Sequence, residues 1–135
     1  RDVALKIGAT RVIDPNSEDV NTAVTNMDVV FECAGAVETF QQAQNIARRG
    51  GSVIVLGLTA ADVTLEVNPF NIVVNELRIQ GSFLNPLTQG RAAELVESGK
   101  LNLDILISKV VDLAGVQAIL DAPPAEGDIK YIACP

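Results

Sequence analysis

The chain has 135 residues, 48% hydrophobic and 20% charged, which is ordinary composition for one globular domain with a core of its own. Its net charge of −7 argues against a nucleic acid or an anionic membrane surface as partner. No apolar run approaches the roughly 20 residues of a bilayer span, and there is no signal-peptide pattern. Histidine is absent, and Cys33 and Cys134 are the only cysteines. His-dependent triads, His zinc ligands and a disulfide scaffold are therefore excluded within the chain. Free, buried thiols and a cytoplasmic setting are the expectation.

In chain order, Val3, Ala4 and Ile7 before Gly8 read as the last turns of a helix with a glycine stop. Arg11 to Ile13 reads as a short strand closed by Asp14-Pro15. The acidic, cap-rich Asn16-Ser17-Glu18-Asp19 opens a short helix ending near Asn26. Asp28 to Glu32 follows as a strand whose apolar run, Val29 to Phe31, has no polar alternation, the pattern of a strand covered on both faces of a parallel sheet. Ala36, Phe40, Ala43 and Ala47 then recur at helical spacing, with Glu38 in the first turn and Arg48-Arg49 in the last, matched to the helix dipole. Gly50-Gly51 supplies the stop, and Ser52 to Leu56 is a second apolar strand. The unit is strand–helix–strand, and so parallel.

Beyond it, Val63 to Leu65 is an extended connection or a small strand. Asn68-Pro69 is an N-cap with proline at the first helical position, leading an apolar face of Phe70, Val73, Val74 and Leu77. Arg78 to Phe83 is a further strand. Arg91 to Ser98 is a helix with Ala92, Leu95 and Val96 inward, stopped by Gly99. Ser108 to Asp112 reads as a short strand, Ala114 to Asp121 as a last helix before Pro123-Pro124, and Ile129 to Ala133 as a closing strand. The alternation is α/β throughout, without internal repeats.

The chemistry should lie where the strands end, because ligands of open parallel sheets bind outside the carboxyl ends of the strands. Glu32-Cys33-Ala34-Gly35 and Gly57-Leu58-Thr59 are such ends, and their small residues allow close approach to backbone. Ordinary strand-to-helix turns are the alternative reading.

The ordered series Gly8-Ala9-Thr10, Asp28 to Gly35, Arg49 to Gly57, Gly81-Ser82-Phe83, Glu94 to Leu101 and Lys130-Tyr131-Ile132 resembles the zinc-dependent medium-chain dehydrogenases, within them the polyol (sorbitol-like) branch. The resemblance runs over essentially the whole chain. It implies an incomplete doubly wound parallel sheet, a partial Rossmann fold lacking the first two strands and the G-x-G-x-x-G fingerprint. Residues 1–135 would then be the later part of a nucleotide-binding domain, with the catalytic zinc domain absent. The start at Arg1 rather than methionine agrees with a piece of a longer enzyme.

Carried over residue by residue, the resemblance implies that Cys33, Ala34 and Gly35 line the adenosine and ribose side of the cofactor. Leu56, Gly57 and Leu58 would pass the nicotinamide, and Ser82, Phe83 and Leu84 would finish that end of the groove. Lys130 would approach the pyrophosphate. Leu56 and Phe83 as plain core, and Lys130 as a solvated lysine, are the alternatives. Hydride transfer between an alcohol or polyol and NAD(P) would need the zinc of the absent domain, so this chain alone is expected to be inactive. The resemblance leaves NAD or NADP open, because the deciding acidic residue would precede Arg1.

Without the first two strands, the Arg11 strand should either move beside the Asp28–Glu32 strand or leave that edge to pair with another chain. In the family the Arg78–Phe83 strand meets its two-fold mate, so a homo-oligomer through either edge is expected. A flavodoxin-like binding or interaction module is the alternative. Its phosphoacceptor form would need clustered strand-end carboxylates, and only Asp14 and Glu32 are available.

Overall fold

The computed structural model describes residues 1–84 and 86–135. The chain forms two compact units, one spanning Ile13–Leu84 and the other joining Arg1–Val12 to the segment after Leu84.

The first unit carries helices α2 (Val20–Ala23), α3 (Val37–Ile46) and α4 (Pro69–Val74) and strands β1 (Met27–Glu32), β2 (Ala47–Val55) and β3 (Arg78–Gly81). The strands form one parallel sheet in the order β1-β2-β3. Val30 pairs with Val53 and Glu32 with Val55, so these four share a face, and α3 packs on it. Val53 is fully buried there, and Ala43 of α3 is buried as well. The opposite face presents Val29 and Phe31 to solvent. Capping follows the sequence: the Asp19 side chain accepts from the Asn21 N–H, and that of Asn68 from the Phe70 N–H ahead of α4.

The second unit carries α1 (Asp2–Lys6), α5 (Gln89–Glu97) and α6 (Val116–Asp121), with a parallel pair β4 (Ile107–Val111) and β5 (Lys130–Ala133). A 3-10 turn, Asp104–Leu106, precedes β4, and another, Leu113–Gly115, precedes α6.

Five expectations change. Residues 11–14 form no strand. The Asp14 carbonyl accepts from Ser17 and Glu18 and its carboxylate from the Asn16 N–H, so the segment folds into a turn instead of running alongside β1. Arg48 and Arg49 lie in β2, not in the last turn of α3, because Ala47 is already extended and pairs with Met27. Arg48 reaches the carboxylate of Asp28 on β1. Leu95 and Val96 of α5 are exposed, as are Phe70 and Val73 of α4, while Leu77 buries itself just beyond the helix end. Cys33 and Cys134 are free thiols but exposed rather than buried.

Candidate functional site

Three parallel strands that end in step place three loops in a row. Glu32 registers with Val55, and Val55 with Gly81. Residues 33–35, 56–58 and 82–84 therefore leave one edge of the sheet side by side, separated by about 5 Å per strand. Backbone bonds tie each segment to the next. The Glu32 carbonyl accepts from the N–H groups of Leu56 and Gly57 at 2.8 and 3.0 Å, and the Val55 carbonyl accepts from Ser82 N–H at 2.9 Å.

The first two segments meet backbone to backbone. A Cβ on Gly57 would lie 2.1 Å from the amide nitrogen of Gly35, and one on Gly35 would lie 2.5 Å from the carbonyl oxygen of Leu58. Gly35 also has φ +71, in the left-handed region that glycine enters without penalty. Only glycine fits at either position.

Glu32 sits beneath this contact with 4% of its surface exposed. Its Oε1 accepts from the N–H groups of Ala34 (2.8 Å) and Gly35 (2.9 Å) and from the Thr39 hydroxyl on α3 (2.7 Å). Burial alone would raise the pKa of this carboxyl. The bonds from Thr39, Gly35 and Ala34 favour the ionised form and together outweigh burial, so the net shift is downward.

The strand ends are open to a ligand. Cys33 and Ala34 are exposed, Leu56 is 43%, Leu58 75% and Phe83 68% exposed, and Ser82 and Leu84 stand in solvent. Leu56 and Phe83 are therefore not core residues. Leu84 carries φ +54, a conformation that costs a non-glycine residue about 1–3 kcal/mol and that clusters at functional sites. A shallow hollow of about 220 Å³ lies beside β1, lined by residues that include Cys33, Ala34, Thr39 and Ala43. That is smaller than the roughly 300–1,000 Å³ of a pocket enclosing a small ligand, so this edge offers a surface to lie on rather than an enclosure.

Nine of the ten residues expected to meet a cofactor fall in these three segments. The tenth, Lys130, opens β5 in the other unit and is exposed. Among the described residues no group of three or more His, Cys, Asp or Glu could hold a metal, so the donor set does not fit a zinc ion. Asp14 lies in a turn and Oε1 of Glu32 is taken up by Ala34, Gly35 and Thr39, so the described residues bring no strand-end acids together as a phosphoacceptor needs. Sequence reasoning placed Glu32 at the strand end without giving it a role in the cofactor site, and it missed Thr39. Their signal was an acid closing an apolar strand, with glycine three residues on and threonine seven.

A family model described as zinc-binding dehydrogenase matches residues 1–99. A protein of Rhizobium meliloti described as a D-xylulose reductase is 36% identical over 110 residues, covering 76% of this chain and 30% of its own length. The L-threonine 3-dehydrogenase of Pyrococcus horikoshii is 35% identical over 116 residues, covering 80% of this chain and 33% of its own length. The chain thus spans about a third of the curated relatives it matches. A structure from Sinorhizobium meliloti, described as a zinc-binding dehydrogenase bound to NADP, superposes with a TM-score of 0.94 at 37% identity over 100% of this chain and 42% of that one. The 2R,3R-butanediol dehydrogenase of Bacillus subtilis, at 21% identity and a TM-score of 0.84, shares the fold.

Proposed function

Because this chain belongs to the zinc-binding dehydrogenase family, as the later part of its coenzyme-binding domain, we propose that its three strand-end segments form part of the floor under NADP or NAD in an enzyme moving a hydride between an alcohol or polyol and that cofactor. The observation that carries this is the in-step ending of β1, β2 and β3, which aligns Cys33-Ala34-Gly35, Leu56-Gly57-Leu58 and Ser82-Phe83-Leu84 along one sheet edge. The cofactor, when bound, accepts or donates the hydride at its nicotinamide. The chain's own residues orient it: exposed apolar side chains at Leu58 and Phe83 give a ring a surface, and the glycines let it approach backbone. NADP in the Sinorhizobium meliloti structure favours the phosphorylated form.

Neither the zinc donors nor the glycine fingerprint lies in this sequence, so the 135-residue chain is proposed to bind nucleotide weakly and to catalyse nothing alone. Exposed free thiols at Cys33 and Cys134 suit a reducing, cytoplasmic setting. The test is a titration of the isotopically labelled chain with NADPH, followed by amide chemical shifts. Shifts confined to residues 33–35, 56–58 and 82–84 are expected, with no polyol oxidation in a parallel assay. Unmoved amides in those segments at high nucleotide concentration would overturn the binding reading, and turnover by the isolated chain would overturn its inactivity.

A further inference from the structure

Glu32 is joined to two of the three strand-end segments at once. Its carbonyl oxygen receives Leu56 and Gly57, and its carboxylate receives Ala34, Gly35 and, across to α3, Thr39. The other carboxylate oxygen, Oε2, lies 2.6 Å from where a Cβ on Gly57 would stand. Five donors from three parts of the chain thus converge on one buried residue. Taking a carboxylate out of water is costly unless it is hydrogen-bonded, and bonds to an ionised acceptor are about twice as strong as neutral ones. An apolar side chain could fill this space without that cost. It could not draw two backbone N–H groups and a helix hydroxyl onto one oxygen atom.

We infer that Glu32 is a positioning residue: through its carboxylate and carbonyl it holds the 33–35 turn against the 56–58 segment at the spacing the dinucleotide requires, without touching the nucleotide itself. The inference rests on the proposed nucleotide site and adds to it the residue that sets its shape. Thr39, seven residues along and on a different element, is the helix side of the same clamp. It fixes the turn relative to α3, which packs on β1 and β2. A turn held at three points has little freedom to rearrange on binding, so the ordering cost of binding is met in advance.

The test uses the full 135-residue chain with four substitutions: Glu32→Ala, Glu32→Gln, Thr39→Val and Val53→Ala. Val53 is fully buried in the sheet and lies outside the three segments, so it reports general destabilisation. Two readouts are taken on each variant, amide hydrogen exchange without ligand and NADPH affinity from chemical shifts. Glu32→Ala should speed exchange at Ala34 and Gly35, whose N–H groups lose their acceptor, and weaken NADPH about tenfold, the effect of losing charge-assisted bonds; Leu56 and Gly57 keep their carbonyl partner. Glu32→Gln keeps one acceptor oxygen and should recover part of that loss. Thr39→Val removes one donor of the clamp and should weaken binding several-fold, and it carries the test should Glu32→Ala not fold. Val53→Ala should lower thermal stability yet leave affinity within twofold.

Affinity unchanged in Glu32→Ala, or in Thr39→Val should that variant carry the test, overturns the inference. So does an equal loss in Val53→Ala, since the role would then be general stability. If the unmutated chain shows no NADPH-dependent shifts, the reading of the site falls instead. The exchange data then decide the clamp by themselves: unaltered protection at Ala34 and Gly35 in Glu32→Ala overturns it too.

Discussion

At the scale of single residues, the Glu32 carboxyl links the site to pH. Its pKa lies below the ordinary glutamate value because the bonds from Thr39, Gly35 and Ala34 exceed the opposing effect of burial. A group depressed in the folded state contributes stability that is fully present above its unfolded value, near 4.3, and is lost as pH falls through the folded value. The stability gap between the unmutated chain and Glu32→Gln should therefore be constant near neutrality and shrink below about pH 4.3. Urea titrations at a series of acidic pH values, followed by circular dichroism, measure it. A gap that widens on acidification would mean the carboxylate is not the form the fold prefers. The acid, the glycine at +3 and the positions of the strand ends were all visible in the sequence. That Glu32 turns inward and bonds its own loop was not, because a strand-end acid reads equally well as a solvent-facing or ligand-facing group until the neighbouring strand is placed. The exposure of Cys33, Leu56 and Phe83 was hidden for the same reason: apolar type indicates a preference for burial, not whether the fold supplies a cover.

At the scale of elements, the three strands of the main sheet, the proline-led α4 and the glycine stops after α1 and α5 follow local signals that their surroundings do not contradict. The boundary between α3 and β2 shows where such signals lose. Apolar periodicity carries the helix through Ala47 and the two arginines suit a helix C-terminus, yet Ala47 is extended because it pairs with Met27. Sheet pairing across 20 residues outweighs a helix-end charge effect of about 0.3–1 kcal/mol. The ladder is irregular between Met27 and Val29, and Gly51 lies beside the irregularity. A Cβ on Gly51 would stand 2.8 Å from the Arg48 carbonyl oxygen and 3.1 Å from that of Met27. The Asp28–Arg48 pair at the same place is a 2.5 Å contact between partly exposed side chains. Two substitutions separate these contributions. Gly51→Ala should cost about 1–3 kcal/mol by forcing the two backbones apart. Asp28→Asn should cost no more than about 1 kcal/mol, since exposed ion pairs contribute little. Chemical denaturation of both variants checks the order, and a larger loss in Asp28→Asn would mean that the ion pair, not the close backbone approach, fixes the register.

At the scale of the whole molecule, the question is what covers the apolar surface that folding leaves open. The only buried apolar side chains among the described residues are Ala43, Val53 and Leu77, all in the unit that carries the three-stranded sheet. Phe31 on the open sheet face is 64% exposed, and Phe70 and Val73 on α4 stand in solvent as well. The sheet also ends at β1 on one side and β3 on the other. Exposed strand edges beside exposed aromatic side chains are templates for pairing with another chain. No strand from residues 11–14 lies beside β1, so of the two outcomes expected for that edge, pairing between chains is the one left to propose. A second copy can add its own β1 to β1, or its β3 to β3, continuing the sheet through backbone hydrogen bonds that neither chain makes alone. Sedimentation analysis over a range of concentrations should then show a monomer–dimer equilibrium. Phe31→Lys should shift it toward monomer if β1 is the seam, and Phe83→Lys, just beyond β3, if that edge is. The two variants distinguish the edges because a charge beside one seam leaves the other unaffected. A chain that stays monomeric throughout would show that solvent alone covers both edges, and the homo-oligomer proposal would fall.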